Sequence, residues 1–516
     1  MNTTAKPPAI RLAGISKRFG QVQANQDISL DVEAGAIHGI VGENGAGKST
    51  LMSILYGFYQ ADAGYIEVDG ERVRIRNSQE AIACGIGMVH QHFMLVDTFT
   101  VLENVVLGAE GSALLGPGLR AARSALSALA EEYGLEVDPD ALVADLTVGA
   151  QQRVEILKAL YRGAEILVLD EPTGVLTPQE ADQLFRVLRS LADQGVTVLL
   201  ITHKLREILA ITSAVSVMRQ GQMVATLATA ETSREELAEL MVGRKVLLRV
   251  EKGTADAGDT VLDVQDLQIA GLGARDGVNG VSFSVRAGEI VGVAGVAGNG
   301  QSELLEALSG IRPIVGGTIQ IKGRAVTPSA PSDPHEMRAK SVAHVPEDRL
   351  RVGLVAPFAA AESSILGYQD SPEFGDHVLL AYRRIEAFCD DCMETFDVRP
   401  HDAALRTAGF SGGNQQKLLL AREFSRAPEL LLVGQPTRGV DIGAIELIHK
   451  RLVAMRDAGV AVLLVSVELD EIMSLADRIL VMFEGRIVGE MQAADADERT
   501  LGLMMANAHG TGEAAA

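Results

Sequence analysis

Short apolar runs rich in β-branched residues recur along the chain, separated by longer stretches whose apolar positions return at helical spacing. Residues 37–41, 166–169, 196–201 and 460–467 are of strand length. None approaches the ~20 consecutive apolar residues that a membrane-crossing helix needs. Residues 115–133 and 381–398 read as helices lying apart from the Gly-rich segments. The pattern predicts an α/β sheet core with a helical subdomain inserted between its two halves.

The same pattern occurs twice. Ala34-Gly35-Ala36-Ile37-His38-Gly39-Ile40-Val41-Gly42 is echoed by Ala287-Gly288-Glu289-Ile290-Val291-Gly292-Val293-Ala294-Gly295, at an offset of 253 residues. Residues 64–70 are echoed by 317–323 at that offset, and 166–168 by 430–432 at an offset of 264. So long a period indicates duplicated domains rather than a solenoid. The expected boundaries are 8–245 and 260–505. Residues 246–259 between them read as a short linker, of which 251–259 are polar and poor in large apolar side chains.

Composition narrows the class. The 516 residues carry 46 Lys+Arg against 68 Asp+Glu, a formal charge of −22, which argues against a nucleic-acid partner. Three cysteines are too few for a disulfide framework and suggest a reducing compartment. The first eight residues hold no apolar core of a secretory signal, so none is expected.

Gly42-Glu43-Asn44-Gly45-Ala46-Gly47-Lys48-Ser49-Thr50 has the P-loop spacing G-x4-G-K-[ST] and follows a strand-like run. Its glycines let backbone N–H groups turn toward phosphate oxygens at the positive end of the next helix. Lys48 would neutralise the β- and γ-phosphates, and the Ser49 hydroxyl would ligate Mg²⁺. Residues 166–171 form an apolar run ending in Asp170 and Glu171. Carboxylates beside a buried strand are costly to desolvate unless they meet a cation, which suits Asp170 on Mg²⁺ and Glu171 on an attacking water.

With these motifs the chain resembles the ATP-binding cassette family over nearly its whole length. Phe410-Ser411-Gly412-Gly413-Asn414-Gln415-Gln416-Lys417 matches the family's signature, and Leu146-Thr147-Val148-Gly149-Ala150-Gln151-Gln152-Arg153 is an eroded copy. The resemblance implies two tandem P-loop NTPase domains, each a RecA-like sheet core with a helical subdomain, using ATP and Mg²⁺. It implies that Phe19 stacks on adenine, that Gln91 reaches Mg²⁺, and that His203 holds the γ-phosphate.

The second copy has lost most of this. Lys48 becomes Gln301, Thr50 becomes Glu303, Asp170 becomes Gly434, Glu171 becomes Gln435, Gln91 becomes Glu347 and His203 becomes Val467, while Ser302 keeps its hydroxyl. Removing the lysine charge forfeits ~4 kcal/mol of gross attraction at about 4 Å and an effective dielectric of about 20. Conversely, the first copy has Thr147, Val148 and Thr177 where the second keeps Ser411, Gly412 and Asp441. Family members work as head-to-tail pairs, each nucleotide lying between one P-loop and the opposite signature. The resemblance therefore implies one complete ATP site, closed by Ser411, Gly412, Gly413 and Asp441, and one non-catalytic site.

Cys389 and Cys392 have redox spacing but lie in a helical pattern without a second pair, and His90 and His92 are better explained by the neighbouring Gln91. Both are read as structural. The resemblance extends to bacterial importers of nucleosides and of ribose- or galactose-type sugars. These imply two transmembrane permease subunits, an extracytoplasmic substrate-binding protein and a peripheral position on the cytoplasmic face of the membrane. A soluble twin-cassette translation factor fits less well, given the short linker and the charge of −22.

Overall fold

The computed structural model describes residues 7–90, 93–109, 115–173, 176, 178–245, 252–271, 277–296, 298–375, 379–440 and 442–505. The chain divides into two compact units, Met1–Val246 and Leu247–Ala516.

In the first unit the strands are β1 (Ile10–Phe19), β2 (Val22–Val32), β3 (Ile37–Gly42), β4 (Ala63–Val68), β5 (Glu71–Val73), β6 (Ile86–Val89), β7 (Ile166–Asp170), β8 (Thr197–Ile201), β9 (Ala214–Arg219) and β10 (Gln222–Ala228). One sheet has the order β10-β9-β3-β8-β7-β6, parallel except at β10. Its central strands β3 and β8 are buried throughout, as a sheet covered on both faces requires. The other is an antiparallel sheet, β2-β1-β4-β5. The apolar runs did not announce this second sheet, because β2 buries only every second or third residue.

The second unit repeats the plan with β11 (Thr260–Ile269), β12 (Val278–Arg286), β13 (Ile290–Ala294), β14 (Gly316–Ile321), β15 (Arg324–Val326), β16 (Val342–Val345), β17 (Leu430–Gly434), β18 (Ala461–Ser466), β19 (Arg478–Phe483) and β20 (Arg486–Gln492). The sheet orders are β12-β11-β14-β15 and β16-β17-β18-β13-β19-β20. The antiparallel sheet and one face of the parallel sheet enclose a single apolar core that includes Leu262, Phe283, Leu305 and Leu463.

The helix Leu115–Tyr133 covers the span expected from its pattern. Its counterpart runs Tyr382–Thr395, shorter than the expected 381–398. Asp397 turns left-handed (φ 48°) and the Val398 N–H returns to the Met393 carbonyl at 2.8 Å, which closes the helix end. Cys389 and Cys392 lie on its buried face. Burial pushes their thiols up to about 12 and about 11, so both are unreactive.

Residues 252 and 253, inside the expected linker, are fixed to the second unit. Lys252 Nζ donates to the Leu475 carbonyl at 3.0 Å. Arg456, 1% exposed, reaches Asp477 at 2.9 Å and the Gly253 carbonyl at 3.1 Å. No helix among the described residues is long and apolar enough to cross a membrane.

Candidate active site

The Gly-rich turn of the first unit joins the buried strand β3 to the helix Lys48–Leu55. Gly47 sits at φ 97°, and a Cβ there would run into the Ala24 carbonyl and come within 2.7 Å of Asn25 Nδ2. Asn25 in turn donates to the Gly47 carbonyl at 3.1 Å, so a buried β2 side chain sets the turn's shape. Gly221 N–H holds the other side through the Ala46 carbonyl at 3.1 Å. The result is a ring of backbone N–H groups at a helix N-terminus, the geometry that receives phosphate.

Lys48 is 6% exposed, and its ammonium is folded back onto the Gly42 carbonyl at 2.6 Å and the Glu43 carbonyl at 3.0 Å. Burial holds its pKa below the usual lysine value, although Glu171, Asp170 and Glu43 pull the other way. An ammonium whose direct contacts among the described residues are two carbonyls has charge left for phosphate oxygens.

Asp170 ends β7, where it faces Ser49 across a hydrogen bond. Burial, and then the charge of Glu171, raise its pKa despite Lys48 and Ser49. A carboxylate destabilised in this way, with a hydroxyl beside it, suits a divalent cation. Glu171 is left-handed (φ 49°), yet its N–H still pairs with the Ile201 carbonyl at 2.8 Å. That backbone costs about 1 kcal/mol or more and turns the carboxylate toward His203, whose Nδ1 donates to Oε1 at 2.8 Å. Burial alone would raise the Glu171 pKa. The His203 hydrogen bond, with the charges of His203, Lys48 and Lys204, outweighs burial and leaves it below the usual range. The carboxylate is thus ionised and aimed from β7, with its partner at the end of β8.

Several supporting residues carried no readable signal in the sequence. Buried Glu207 accepts from Thr173 Oγ1 and, at 3.2 Å, from Thr202 Oγ1, tying the segment after β7 to the end of β8. Gln152 donates to the Pro172 carbonyl at 2.7 Å and ties the helix Val148–Tyr161 to the same segment. Each is a single polar residue in a helix or turn, unremarkable until its partner is known. Phe19, at the tip of β1, is 41% exposed and meets Tyr59 edge-on with centroids 5.0 Å apart. An exposed aromatic pair is a ready platform for a flat ring. Gln91 and His92 lie outside the described residues, while His90 stacks on Phe58 at 5.6 Å.

The ABC transporter family profile matches residues 25–174 and again 278–438. The chain belongs to the ABC transporter family. It is 46% identical over 97% of its length to the "Nucleoside import ATP-binding protein NupA" of Lactococcus lactis subsp. cremoris, covering 98% of that protein. It is 45% identical over 96% of its length to the "Guanosine import ATP-binding protein NupO" of Bacillus subtilis, covering 97%. It is also 45% identical over 97% of its length to the "Glucose import ATP-binding protein TsgD13" of Haloferax volcanii, covering 96%. The chain is thus an ATP-binding cassette ATPase with two cassettes.

The second cassette keeps the backbone and changes the chemistry. Gly298 and Gly300 repeat the positive φ of Gly45 and Gly47, at 95° and 101°. Gln435 repeats the left-handed φ of Glu171 (49°) and donates its N–H to the Val465 carbonyl at 2.8 Å. Gln301, 5% exposed, folds back over Gly295 much as Lys48 folds over Gly42. Val467 accepts no proton; its backbone N–H donates to Gln435 Oε1 at 3.3 Å. β11 ends at Ile269, which is 3% exposed and pairs with Val278 as Lys17 pairs with Asn25 in the first cassette.

Although Gly434 replaces Asp170, Ser302 keeps a carboxylate partner: its Oγ donates to Glu347, which also bonds to Gln435 and lies over Gly434. Burial raises the Glu347 pKa more than these contacts lower it.

The two signatures also differ. Ser411 caps the helix Gly412–Phe424, its hydroxyl accepting from Asn414 N–H at 3.4 Å. Thr147 makes the same cap on Ala150 at 3.3 Å, but Val148 replaces Gly412 and is 40% exposed. Asp441 and Thr177 lie outside the described residues.

Proposed function

We propose that the protein is the ATP-hydrolysing subunit of an importer for nucleosides, acting with two transmembrane permease subunits and an extracytoplasmic substrate-binding protein. It would sit peripherally on the cytoplasmic face of the membrane, with no nucleic-acid partner. Two of the relatives named above import nucleosides or guanosine, and they match nearly end to end. A sugar importer is the second reading, favoured by the 45% identity to the glucose-import protein.

One observation carries the catalytic reading. Lys48, the Ser49–Asp170 pair and the Glu171–His203 pair converge at one Gly-rich turn, and the other turn lacks the lysine and both of those carboxylates. Gly42, Glu43, Asn44, Gly45, Ala46, Gly47 and Thr50 would cradle the phosphates with Lys48, and Phe19 would stack on adenine. Ser49, Asp170 and Gln91 would hold Mg²⁺, which supplies charge neutralisation at the phosphates when bound. Glu171 would orient and deprotonate the attacking water. His203 would hold that carboxylate through Nδ1, leaving Nε2 for the γ-phosphate. Ser411, Gly412, Gly413 and Asp441 would close the intact P-loop in trans, so that one composite site hydrolyses ATP.

The test is ATPase activity of the assembled transporter with nucleosides or monosaccharides loaded on its binding protein. Stimulation by nucleosides alone is expected. Stimulation by monosaccharides alone would replace this reading with the sugar importer.

A further inference from the structure

The helix Leu205–Ile211 follows β8 closely and carries Glu207, a carboxylate only 8% exposed. Burying a carboxylate is costly unless donors meet it. Two hydroxyls do, and they come from different strand ends. Thr173 Oγ1 donates to Oε1, and Thr202 Oγ1 donates to Oε2 at 3.2 Å. Both threonines are themselves buried. The Thr202 hydroxyl also accepts from the Lys204 N–H at 3.0 Å, which leaves its own proton for Glu207, and Lys204 Nζ stands 4.0 Å from Oε1.

These threonines flank the reacting pair. Thr202 immediately precedes His203, and Thr173 follows Glu171 by two residues. Pro172 lies between Glu171 and Thr173 with a fixed φ, and Gln152 holds its carbonyl at 2.7 Å, so a restraint on Thr173 is felt at Glu171. Glu207 is therefore a crosspiece between the segments that carry the carboxylate and its histidine. What it keeps in register is the 2.8 Å contact of His203 Nδ1 with Glu171 Oε1.

The second cassette has the matching polar residues without the crosspiece. Thr437, Ser466 and Glu471 correspond to Thr173, Thr202 and Glu207 at the offset of 264 residues. Glu471 is 4% exposed, but its Oε1 faces His449 Nε2 at 3.0 Å, on the helix Ile442–Asp457. Its Oε2 has no hydrogen-bond partner among the described residues. The Ser466 hydroxyl accepts from the Glu468 N–H at 3.1 Å, as Thr202 does from Lys204, but gives no bond to Glu471. His449 stands where the first cassette has Phe185, which offers no polar atom to divert Glu207. A carboxylate needed only for folding would keep the same partners in both cassettes. Instead the crosspiece is present where the lysine and the acids remain and absent where they are lost.

We propose that Glu207 is a positioning residue of the ATPase, which holds His203 in line with Glu171 by bridging Thr202 and Thr173. This rests on the reading above of Glu171 as the base. Glu207 acts through the two threonines, and its length matters more than its charge, because one side chain must span both hydroxyls.

The experiment uses the assembled transporter and measures kcat, KM and equilibrium binding of a non-hydrolysed ATP analogue. Glu207→Ala is expected to lower kcat by on the order of 10- to 100-fold, as a displacement of about 1 Å can, with KM and analogue binding nearly unchanged. Glu207→Gln keeps the length, and its amide can still join two hydroxyls that rotate to suit, so it should retain most of the activity. Glu207→Asp keeps the charge but is a methylene shorter, and should lose nearly as much as Glu207→Ala. Thr173→Val cuts one leg with little change of shape and should lower kcat in the same way, even where Glu207→Ala fails to fold. In a His203→Ala background, Thr173→Val should cost little more, because nothing is left to align; a brace needed only for folding would cost the same in both.

Turnover of Thr173→Val within about twofold of wild type overturns the proposal. So does Glu207→Asp outperforming Glu207→Gln, or an undiminished loss in the His203→Ala background. If Glu171→Gln hydrolyses ATP at the wild-type rate, the base reading fails and this inference with it. If Glu171→Gln is inactive while Thr173→Val is not, only the role of Glu207 fails.

Discussion

Ser302 donates its hydroxyl to Glu347, a residue that enters from the end of β16 rather than from β17. In the first cassette the equivalent hydroxyl, Ser49, faces Asp170 from β7 itself. The second P-loop serine therefore keeps a carboxylate neighbour, but one that reaches it by filling the space over Gly434. A Cβ on Gly434 would lie 2.6 Å from Glu347 Cγ and 2.8 Å from Leu305 Cδ1. Loss of one carboxylate and the inward fold of the other are thus a single packing change.

That coupling is measurable. Gly434→Asp should destabilise the second cassette by about 1–3 kcal/mol through overpacking. In a Glu347→Ala background the same change should cost less, because the obstructing side chain is gone. Chemical unfolding of the four chains of this cycle checks it. Additive costs would show that Glu347 does not occupy the Gly434 space.

The same packing bears on hydrolysis. Gln301→Lys restores the lysine but leaves Gln435 and Val467 without base or γ-phosphate contact. One ATP hydrolysed per chain is the expected single-turnover stoichiometry for wild type and mutant alike. Two per chain, in either, would refute the asymmetric assignment.

Glu171→Gln keeps the shape and cannot accept a proton. ATP should bind and turnover should fall at least ~100-fold. Hydrolysis within a few-fold of wild type would remove Glu171 from the mechanism.

His203 sets the pH range in which Glu171 works. The Glu171 pKa is depressed only because the His203 contact and nearby lysines overcome burial. Without His203, burial is opposed only by the lysines and the Glu171 pKa should rise. Since Glu171 acts ionised, the acid limb of residual turnover in His203→Ala should move to higher pH. The pH profile of single-turnover hydrolysis reads this, and an unmoved limb would show that His203 does not tune the base.

The anchor behind the linker is also exposed to test. Asp477→Ala leaves the Arg456 guanidinium, 1% exposed, without its 2.9 Å carboxylate. Breaking such a pair costs about 3–5 kcal/mol, so the second cassette should melt well before the first. Unchanged melting would mean that Asp457, 2.6 Å from Arg456, suffices alone.

Much of the site was legible because contiguous motifs fix local geometry. The spacing from Gly42 to Ser49 defines a turn, and an apolar run ending in Asp170-Glu171 defines a strand end. Phe19 and His203 were legible by resemblance, from their order in the chain. Asn25, Gln152, Thr173 and Glu207 were not, because a lone polar residue acquires meaning only from a partner far along the chain.

Residue identity at a repeated spacing was enough to establish the duplication, the α/β class, and which P-loop lost its lysine and acids. It could not decide where a displaced side chain would go. Glu347 was visible as the counterpart of Gln91, but nothing local says that it folds over Gly434 onto Ser302. Arg349 is a single residue in a turn, and Arg438, whose carbonyl it meets at 3.4 Å, lies 89 positions away from it. Their meeting at Gly412 depends on how β16, β17 and the helix Gly412–Phe424 pack around one core. Charge proximity is a property of space rather than of sequence, so only the tertiary structure could reveal it.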